Sequence, residues 1–355
     1  MENVLFDQVK VTKVSQTKIN EVDFENVQFG KIFTDHMFVC HYVNGTWQQP
    51  EIVPYGPIQM DPSARVFHYG QAVFEGMKAF KDDNGDTFLF RPDDNFERIN
   101  KSSERLEMPA FPKSYFDQGL HTLLQLDNDW IKNDDGSALY IRPFVIATEE
   151  SLMASEANKY SFYIICSPVK AYYGKSVNVL ISDYYSRSAS GGVGYAKAAG
   201  NYAAQFYPTN LAKEKGYDQI IWTDSKSHEY VEEAGTMNIF FRINDTLLTA
   251  PTSERILDGI TRKSIIALAE KEGYTVEVRD ITVAEIVEAA GNGTLKEAFG
   301  AGTAAVVSQI KGIGYKDQHY DIPVLEDGFA THFKKSLNDI QYNKAEDPFG
   351  WRIKV

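Results

Sequence analysis

The segment Gly191-Gly-Val-Gly-Tyr-Ala-Lys197-Ala-Ala-Gly-Asn-Tyr202 surrounds one amine with mostly small residues. Lys197 is the only lysine between Lys175 and Lys213. Small neighbours let a planar ring lie against the backbone, and partial desolvation favours the neutral, nucleophilic form of an amine. A flexible surface loop has a similar composition, so residues elsewhere in the chain have to decide between these two interpretations.

A longer and more specific pattern follows Lys197. It comprises Glu232-Glu-Ala-Gly-Thr236-Met-Asn-Ile-Phe240 and, after Leu247-Leu-Thr249, the turn Leu257-Asp-Gly-Ile-Thr-Arg262. Further motifs are Phe29-Gly-Lys-Ile-Phe-Thr-Asp-His-Met37, His68-Tyr-Gly70, Val73-Phe-Glu-Gly-Met-Lys-Ala-Phe80, Leu139-Tyr-Ile-Arg-Pro143 and Phe299-Gly-Ala-Gly-Thr-Ala304. Together they resemble the class IV pyridoxal-phosphate aminotransferases, and the branched-chain-amino-acid aminotransferases in particular. The resemblance runs from near Glu25 to Phe349-Gly-Trp351.

The resemblance implies an α+β enzyme with the two-domain architecture of fold type IV. Its N-terminal domain would be an α/β sandwich and its C-terminal domain a strand-rich pseudo-barrel. A length of 355 residues agrees with about two domains. We predict an N-terminal domain over residues 1–171, a linker region over 172–185 and a C-terminal domain with Lys197 over 186–355. The linker begins at the turn-like stretch Tyr172–Ser176.

Hydrophobic periodicity predicts a mixture of strands and helices without regular alternation. The predicted strands are Met37–Val43, Thr87–Phe90, Ala138–Ala147, Ser161–Pro168, Val177–Ser182, Gln219–Thr223, Met237–Ile243 and Thr275–Arg279. The predicted helices are Pro92–Leu106, Tyr115–Ile131, Tyr202–Lys215, Arg262–Glu272, Val283–Ala290 and Phe329–Ile340.

Composition narrows the class of protein further. A net charge of −13 disfavours nucleic acid and anionic membranes as partners. The chain shows no apolar run of membrane-spanning length and no targeting signal at its N-terminus. Cys40 and Cys166 lie in apolar, strand-like surroundings and are predicted to be buried free thiols. These features predict a cytoplasmic enzyme, and no metal site is expected.

The resemblance implies pyridoxal 5'-phosphate as the cofactor, bound covalently by Lys197. Its phosphate would contact the backbone amides of Ile260 and Thr261, because the N–H groups at a helix start form an anion site. The alternative is an ordinary helix N-terminus capped by Asp258. Thr303 would add a further phosphate contact.

An arginine would neutralise the phosphate from another part of the chain. The family pattern favours Arg98, which lies one to two turns inside a predicted helix. Arg91, directly before Pro92, is the alternative.

Three further residues would contact the cofactor. Glu233 is implied as the partner of the pyridine nitrogen, since a nearby anion favours the protonated ring. Glu232 is adjacent, but the side chains of a strand alternate between faces, so only one of the two can reach the ring. Tyr202 would hydrogen-bond the 3'-oxygen, and Thr236 completes the set.

The resembling enzymes bind Leu, Ile or Val in one half-reaction and glutamate in the other. Strand alternation places Tyr140 and Arg142 on one face. Arg142 could pair with the γ-carboxylate of glutamate, and a purely structural role is the alternative. The amides of Thr303 and Ala304 would bind the α-carboxylate. The expected pocket walls are Phe29, Tyr69, Phe74, Tyr140 and Tyr172.

The resemblance also implies ping-pong transamination with 2-oxoglutarate and a homodimer, in which the loop Ser151–Ala154 reaches the other subunit's pocket. Mammalian members carry Cys-x-x-Cys after the Gly-Thr-Ala turn; Ala305 and Ser308 occupy those positions here, so this redox switch is absent. Two alternatives with the same fold are D-amino-acid aminotransferase and aminodeoxychorismate lyase. A non-catalytic binding protein is the alternative from another class, and the intact Lys197, Tyr202 and Glu233 argue against it.

Overall fold

The computed structural model describes residues 8–134, 136–170 and 176–355. They form two compact units. Unit 1 comprises the described part of Met1–Tyr172 together with Ala196–Ala199 and Ile340–Val355, and unit 2 comprises the described part of Tyr173–Tyr195 and Gly200–Asp339. Two segments assigned from the sequence to the C-terminal domain, Ala196–Ala199 with Lys197 and Ile340–Val355, therefore belong to unit 1.

Unit 1 is an antiparallel-rich sheet with helices. Its strands are β1 Lys10–Val11, β2 His36–Val43, β3 Thr46–Trp47, β4 Glu51–Pro54, β5 Ala72–Phe74, β6 Met77–Lys81, β7 Thr87–Phe90, β8 Ser137–Ala147 and β9 Tyr160–Lys170, and its helices are α1 Arg65–Tyr69, α2 Pro92–Arg105 and α3 Lys113–Leu126. The order across the sheet is β1-β4-β2-β9-β8-β6-β7, with β3 on β2 and β5 on β8. The antiparallel pair β8 and β9 is in register from Ser137 to Ala147, which gives the sheet a long central ladder.

An aromatic core lies beneath this sheet. Phe38 of β2, Phe116 of α3 and Phe162 of β9 are buried, and they belong to one hydrophobic cluster. Gly119 of α3 allows the helix to lie against the sheet, because a Cβ at this position would be 2.2 Å from the Phe38 ring. This burial of apolar surface is the main favourable term for the fold of unit 1.

Unit 2 is rich in strands. Its elements are β10 Val177–Ile181, α4 Ala199–Glu214, β11 Gln219–Thr223, β12 Val231–Ala234, β13 Met237–Ile243, β14 Thr246–Thr249, α5 Ile260–Lys271, β15 Thr275–Val278, α6 Val283–Gly291, β16 Leu295–Gly302, β17 Val306–Tyr315, β18 Gln318–Asp321 and α7 Phe329–Gln341. Two of these helices cross the limits of the unit, since α4 begins in unit 1 at Ala199 and α7 ends there.

The strands of unit 2 close on themselves. The sheet order is β12-β11-β10-β17-β16-β13-β14-β15, and an additional pairing joins β12 to β13. The path β12-β11-β10-β17-β16-β13 is therefore a closed ring of strands around buried Ile221, Ile239, Ala298 and Ile310. This ring confirms the predicted strand-rich pseudo-barrel.

The last strand returns to unit 1. Strand β19, Arg352–Lys354, pairs antiparallel with β7, so that Arg352 lies opposite Phe90. Trp351 stacks on Phe349 and packs edge-on against Phe90. Over the part of the chain that the structure describes, no helix is long and apolar enough to cross a membrane.

The predicted helix Tyr115–Ile131 is shorter than expected. Helix α3 ends at Leu126, and a separate 3-10 turn covers Asn128–Trp130. Asp127 lies between them and accepts a hydrogen bond from the backbone of His36. The side chain of Asp127 therefore ties the end of α3 to β2. The apolar pattern continues beyond the helix because Trp130 and Ile131 are buried in the same hydrophobic cluster.

Candidate active site

The backbone of Lys197 is held on both sides in unit 1. Its N–H donates to Ser102 Oγ at 2.9 Å, and its carbonyl accepts from the amide of Phe74 at 3.1 Å. An isolated bridge between Val73 and Ala198 continues this pairing. The Lys197 Nζ lies 4.8 Å from the centre of the Phe74 ring, and the side chain is only half-buried. Lys197 is therefore a fixed residue with a partly accessible amine, not part of a flexible loop.

Small residues near Lys197 were expected to make room for a planar ring, but packing explains one of the glycines. A Cβ on Gly194 would be 2.6 Å from the carbonyl oxygen of Arg255 and from the Cβ of Ser188. Tight packing within unit 2 thus accounts for glycine at this position.

Arg98 forms a buried ion pair that the sequence did not predict. Its Nε and Nη2 donate to the two carboxylate oxygens of Glu75 at 2.6 and 2.9 Å. Glu75 also accepts from Asn95 Nδ2 at 2.7 Å. Burial alone would raise the pKa of Glu75, but Arg98, with a further contribution from Lys197, holds it below its usual range. Glu75 is therefore a carboxylate that pairs with Arg98 and interacts electrostatically with Lys197.

Arg91, the alternative phosphate ligand, has other partners. It precedes Pro92 and donates to both oxygens of Asp94, from Nε at 2.9 Å and from Nη2 at 3.1 Å. Its guanidinium also lies 5.0 Å from the ring of Trp351. This environment makes Arg91 a residue that fixes the start of α2.

Tyr140 and Arg142 share a face of β8, as predicted. Arg142 Nη2 donates to the Tyr140 hydroxyl at 2.9 Å, and its guanidinium lies 4.7 Å from the centre of the Phe74 ring. Arg142 Nε is buried and has no hydrogen-bond partner among the described residues. Because Phe74 also lies against Lys197, unit 1 brings the candidate aldehyde-binding amine and the candidate carboxylate-binding guanidinium to the same ring.

Two of the remaining predicted wall residues are described. The Phe29 ring packs edge-on against Tyr140 with centroids 4.9 Å apart, although Phe29 is 54% exposed. The Tyr69 hydroxyl donates to the carbonyl of Leu152, which ties it to the loop Ser151–Ala154. Tyr172 lies outside the described residues.

Glu233 in unit 2 is buried beside an ion-pair partner and two hydrogen-bond donors. Its Oε2 lies 2.8 Å from Arg187 Nε. Its Oε1 accepts from the Leu257 amide at 2.8 Å and from Asn238 Nδ2 at 3.3 Å. These donors favour the ionised form that a partner of a protonated pyridine requires. Glu232 contacts a different residue, Arg255, so the two glutamates have separate partners, as strand alternation predicted.

Helix α5 starts with amide donors of the kind that bind phosphate. Its N-cap residue is Gly259, which has no side chain to cap the helix. Asp258, the predicted capping residue in the alternative interpretation, instead forms an ion pair with Lys263 at 2.7 Å. The first amides, including those of Ile260 and Thr261, have no acceptor in a preceding helical turn.

The turn before α5 requires glycine at position 259. A Cβ on Gly259 would be 1.8 Å from Asn238 Oδ1. Asn238 Nδ2 donates to the Leu257 carbonyl at 2.9 Å as well as to Glu233. The turn before α5 and the candidate pyridine partner are thus built around the same asparagine.

The other predicted contacts of unit 2 lie in turns or at a helix start. Thr236 is exposed in the turn between β12 and β13, and Thr303 and Ala304 lie in the turn between β16 and β17. Val306, which ends the latter turn, has φ of 61°, a conformation that β-branched residues rarely adopt. Tyr202 is half-buried in the first turns of α4.

Each unit, taken by itself, carries groups that suit a phosphorylated pyridine aldehyde. Unit 1 contributes an accessible amine on a fixed backbone and the orphaned donor Arg142 Nε. Unit 2 contributes a buried carboxylate and an uncapped helix start that a Cβ on Gly259 would fill. An amine for the aldehyde, an anion for the ring nitrogen and amides for the phosphate are the groups that pyridoxal phosphate requires.

The sequence comparisons agree with this chemistry. The family model for amino-transferase class IV matches residues 72–313. Branched-chain-amino-acid transaminase 1 of Bacillus subtilis is 45% identical over 94% of this chain and 95% of its own length. A probable branched-chain-amino-acid aminotransferase of Staphylococcus epidermidis is 45% identical over 98% of this chain and 99% of its own length.

The structural comparisons agree on the fold. A branched-chain aminotransferase of Thermoproteus uzoniensis with norvaline has a TM-score of 0.74 at 22% identity, covering 90% of this chain and 99% of that one. The pyridoxal-phosphate form of the Thermobaculum terrenum enzyme has a TM-score of 0.72 at 21% identity, covering 89% and 97%. The chain belongs to the class IV aminotransferase family, whose members use pyridoxal phosphate.

Several residues of the site were not singled out from the sequence. Glu75 lay within a quoted motif, and a glutamate between apolar residues was a usable signal. Ser102, Arg187 and the Leu257 amide carried no such signal, because their roles depend on partners distant in the chain.

Proposed function

We propose that the protein is a branched-chain-amino-acid transaminase. It transfers the amino group of L-leucine, L-isoleucine or L-valine to 2-oxoglutarate, giving branched-chain 2-oxo acids and L-glutamate in a ping-pong cycle. The observation that carries the substrate class is the 45% identity, over nearly the whole chain, to a branched-chain transaminase. The environment of Lys197 supports the reaction type.

Bound pyridoxal phosphate supplies an electron-withdrawing ring that acidifies the Cα–H bond of an amino acid. Lys197 binds the cofactor between turnovers, and its Nζ accepts the proton released from the substrate Cα. Hydrogen bonds to Ser102 and Phe74 hold its backbone while the flexible side chain moves. The charge of Glu75 keeps the neighbouring Arg98 in place during this motion.

The other residues of the site contact different parts of the cofactor. Glu233 keeps a proton on the ring nitrogen, because its hydrogen-bond donors stabilise the carboxylate. Tyr202 donates to the ring oxygen. The phosphate is bound by Arg98, Ile260, Thr261 and Thr303, and Thr236 completes the cofactor set.

Substrate selection requires one pocket for two kinds of side chain. Phe29, Phe74 and Tyr140 offer apolar surface to a branched aliphatic chain, with Tyr69 and Tyr172 as further walls. Arg142 offers its guanidinium to the γ-carboxylate of glutamate, and the orphaned Nε supports this role. The amides of Thr303 and Ala304 bind the α-carboxylate that all substrates share.

A substrate screen tests the proposal. Purified protein with pyridoxal phosphate is incubated with L- and D-amino acids and 2-oxoglutarate, and glutamate and 2-oxo acid products are quantified. We expect turnover of L-leucine, L-isoleucine and L-valine. Turnover of D-amino acids alone, or release of pyruvate from aminodeoxychorismate, would refute the proposal in favour of the rival activities of this fold.

We also propose that the enzyme is a homodimer through the loop Ser151–Ala154. Leu152 and Met153 are each 66% exposed, which is unusual for large apolar residues in a rigidly held loop. Arg65 holds that loop by donating from Nη1 to the Ser155 carbonyl at 3.0 Å. Light scattering should give a dimer for the wild type and a monomer for a Leu152→Glu/Met153→Glu variant. Val324→Glu, at another exposed apolar position, is the matched control and should stay dimeric.

A cytoplasmic location is the final part of the proposal. It is supported by the composition described above, and fractionation of cells that express the protein would test it.

A further inference from the structure

A second buried carboxyl group lies beside Glu233 and has no part in the reaction described above. Glu232 is as buried as Glu233, with 2% of its surface exposed. Its Oε1 lies 2.5 Å from Arg255 Nε, while its Oε2 is buried without a hydrogen-bond partner among the described residues. Keeping a half-satisfied carboxyl group in the interior costs free energy, so a role beyond packing is expected.

Arg255 connects Glu232 to the partners of Glu233. The side chain of Arg255 donates to Glu232 and, from Nη1 at 3.2 Å, to Ser190 Oγ. Its backbone carbonyl accepts from Arg187 Nη1 at 2.9 Å and from Ser188 Oγ at 2.7 Å. The position of this carbonyl therefore depends on the anchoring of the Arg255 side chain.

Besides Asn238, two groups contact the Glu233 carboxylate, and both depend on the same short segment, Ser253–Leu257. Arg187, whose Nε lies 2.8 Å from Glu233 Oε2, donates from Nη1 to the carbonyls of Arg255 at 2.9 Å and Gly194 at 3.1 Å. The amide of Leu257, two residues further, donates to Glu233 Oε1 at 2.8 Å. A displacement of the Ser253–Leu257 segment would thus move donors on both oxygens of Glu233.

We infer that Glu232 is a positioning residue for Glu233: by anchoring Arg255 it fixes the Ser253–Leu257 segment, and that segment orients the Glu233 carboxylate. The inference rests on the proposed function, in which Glu233 holds the proton of the cofactor's ring nitrogen. Glu232 itself does not touch the cofactor in this scheme. In this scheme Glu233 contacts the cofactor, and Glu232 keeps Glu233 in position.

The charges around Glu232 make the strength of its ion pair with Arg255 depend on pH. Burial raises the pKa of Glu232 to about 7 against the opposing effect of Arg255, and the carboxylates of Glu233 and Asp224 add to the rise. Ionised Glu232 binds Arg255 more strongly than its protonated form does. The anchoring strength therefore changes near neutral pH.

The test uses two variants and a matched control. Glu232→Gln keeps the shape and removes the charge, and Arg255→Gln removes the other partner at a position that is only half-buried. Glu297→Gln is the control, because Glu297 is also 2% exposed and pairs with an arginine, Arg242, at 3.0 Å elsewhere in unit 2.

Three measurements are made on each protein. Fluorescence titration of the apoprotein gives the dissociation constant for pyridoxal phosphate. The pH midpoint of the visible absorbance of the holoenzyme reports the protonation of the bound cofactor. Hydrogen exchange of the apoprotein reports the protection of the Leu257 amide without any cofactor.

We expect Glu232→Gln and Arg255→Gln to weaken pyridoxal-phosphate binding about tenfold, within the ordinary 5- to 150-fold range of coupling between sites. Both should shift the absorbance midpoint and speed exchange at Leu257, while Glu297→Gln should keep the wild-type midpoint. Faster exchange with unchanged affinity and midpoint would overturn the inference, as would an equal midpoint shift in the control. A wild type without a visible band would overturn the proposed function and the inference with it.

Discussion

Replacing Arg142 by Met should separate the two substrate classes. The change keeps an unbranched apolar stem against Phe74, which lies 4.7 Å from the guanidinium, and removes every donor. Leaving the γ-carboxylate of glutamate without its charged partner costs about 2–5 kcal/mol, so kcat/KM for glutamate should fall about 30-fold or more. Leucine loses only the support that Arg142 gives to the Tyr140 hydroxyl at 2.9 Å, about 1 kcal/mol or about fivefold.

Single-turnover kinetics measure this difference directly. Each amino acid is mixed with the pyridoxal form of the enzyme, and the loss of the visible band gives the rate of one half-reaction without the other substrate. Tyr140→Phe is the control, because it removes the same hydrogen bond but keeps the guanidinium, so leucine and glutamate should be affected equally. If Arg142→Met slowed both substrates to the same extent, Arg142 would be a structural residue and the reasoning would be refuted.

Three further results are expected. Lys197→Ala should abolish turnover and the visible band, because the amine that binds the cofactor and moves the proton is gone; leucine turnover near the wild-type rate would disprove the assignment. As pH rises from about 4.5 to 7, the wild type should lose up to about 3 kcal/mol of stability relative to Glu232→Gln, because the pKa of the Glu232 carboxyl group is raised in the folded state. Urea titrations at several pH values measure this difference in the free energy of unfolding. A difference that does not change with pH would contradict the burial argument. Mild peroxide should leave activity unchanged, since Cys40 and Cys166 are buried, burial raises the pKa of Cys40 to about 12 and that of Cys166 is raised as well; an activity loss that reductant reverses would count against this expectation.

Strand alternation correctly predicted that Tyr140 and Arg142 share a face, because β8 is central and pairs along its whole length with β9. In such a strand, register is strongly specified, so residues two apart must share a face. The contact between Tyr140 and Arg142 follows from this rule alone. The same rule separated Glu232 from Glu233 on β12.

Strands β16 and β17 were not predicted, and their glycines explain why. Glycine has a low strand propensity and weakens the pattern on which prediction depends. In the structure, a Cβ on Gly300 would be 2.6 Å from Met237, and one on Gly314 would be 2.2 Å from the Tyr217 ring. These glycines are required by bulky neighbours from other elements, which local sequence cannot reveal.

The ion pairs of the site were also beyond local prediction. Glu75 pairs with Arg98 across 23 residues, and Arg255 pairs with Glu232 across the same separation. Glu75 lies between β5 and β6 whereas Arg98 lies in α2, and Glu232 lies in β12 whereas Arg255 lies in a turn between β14 and α5. No helical or strand period therefore connects the partners. Motif resemblance singled out Glu233 and Arg98 as expected cofactor ligands, but only the fold showed which charged groups lie beside them.

The return of β19 to β7 sets the order in which the protein can be completed during synthesis. Residues 340–355 belong to unit 1, whereas residues 200–339 belong to unit 2. A ribosome must therefore translate nearly all of unit 2 before β7 receives its neighbour, and the register of Arg352 with Phe90 closes a very long loop. Until then the edge of β7 is open to pairing with another nascent chain. A nascent chain therefore keeps this strand edge unpaired until its last residues have been added.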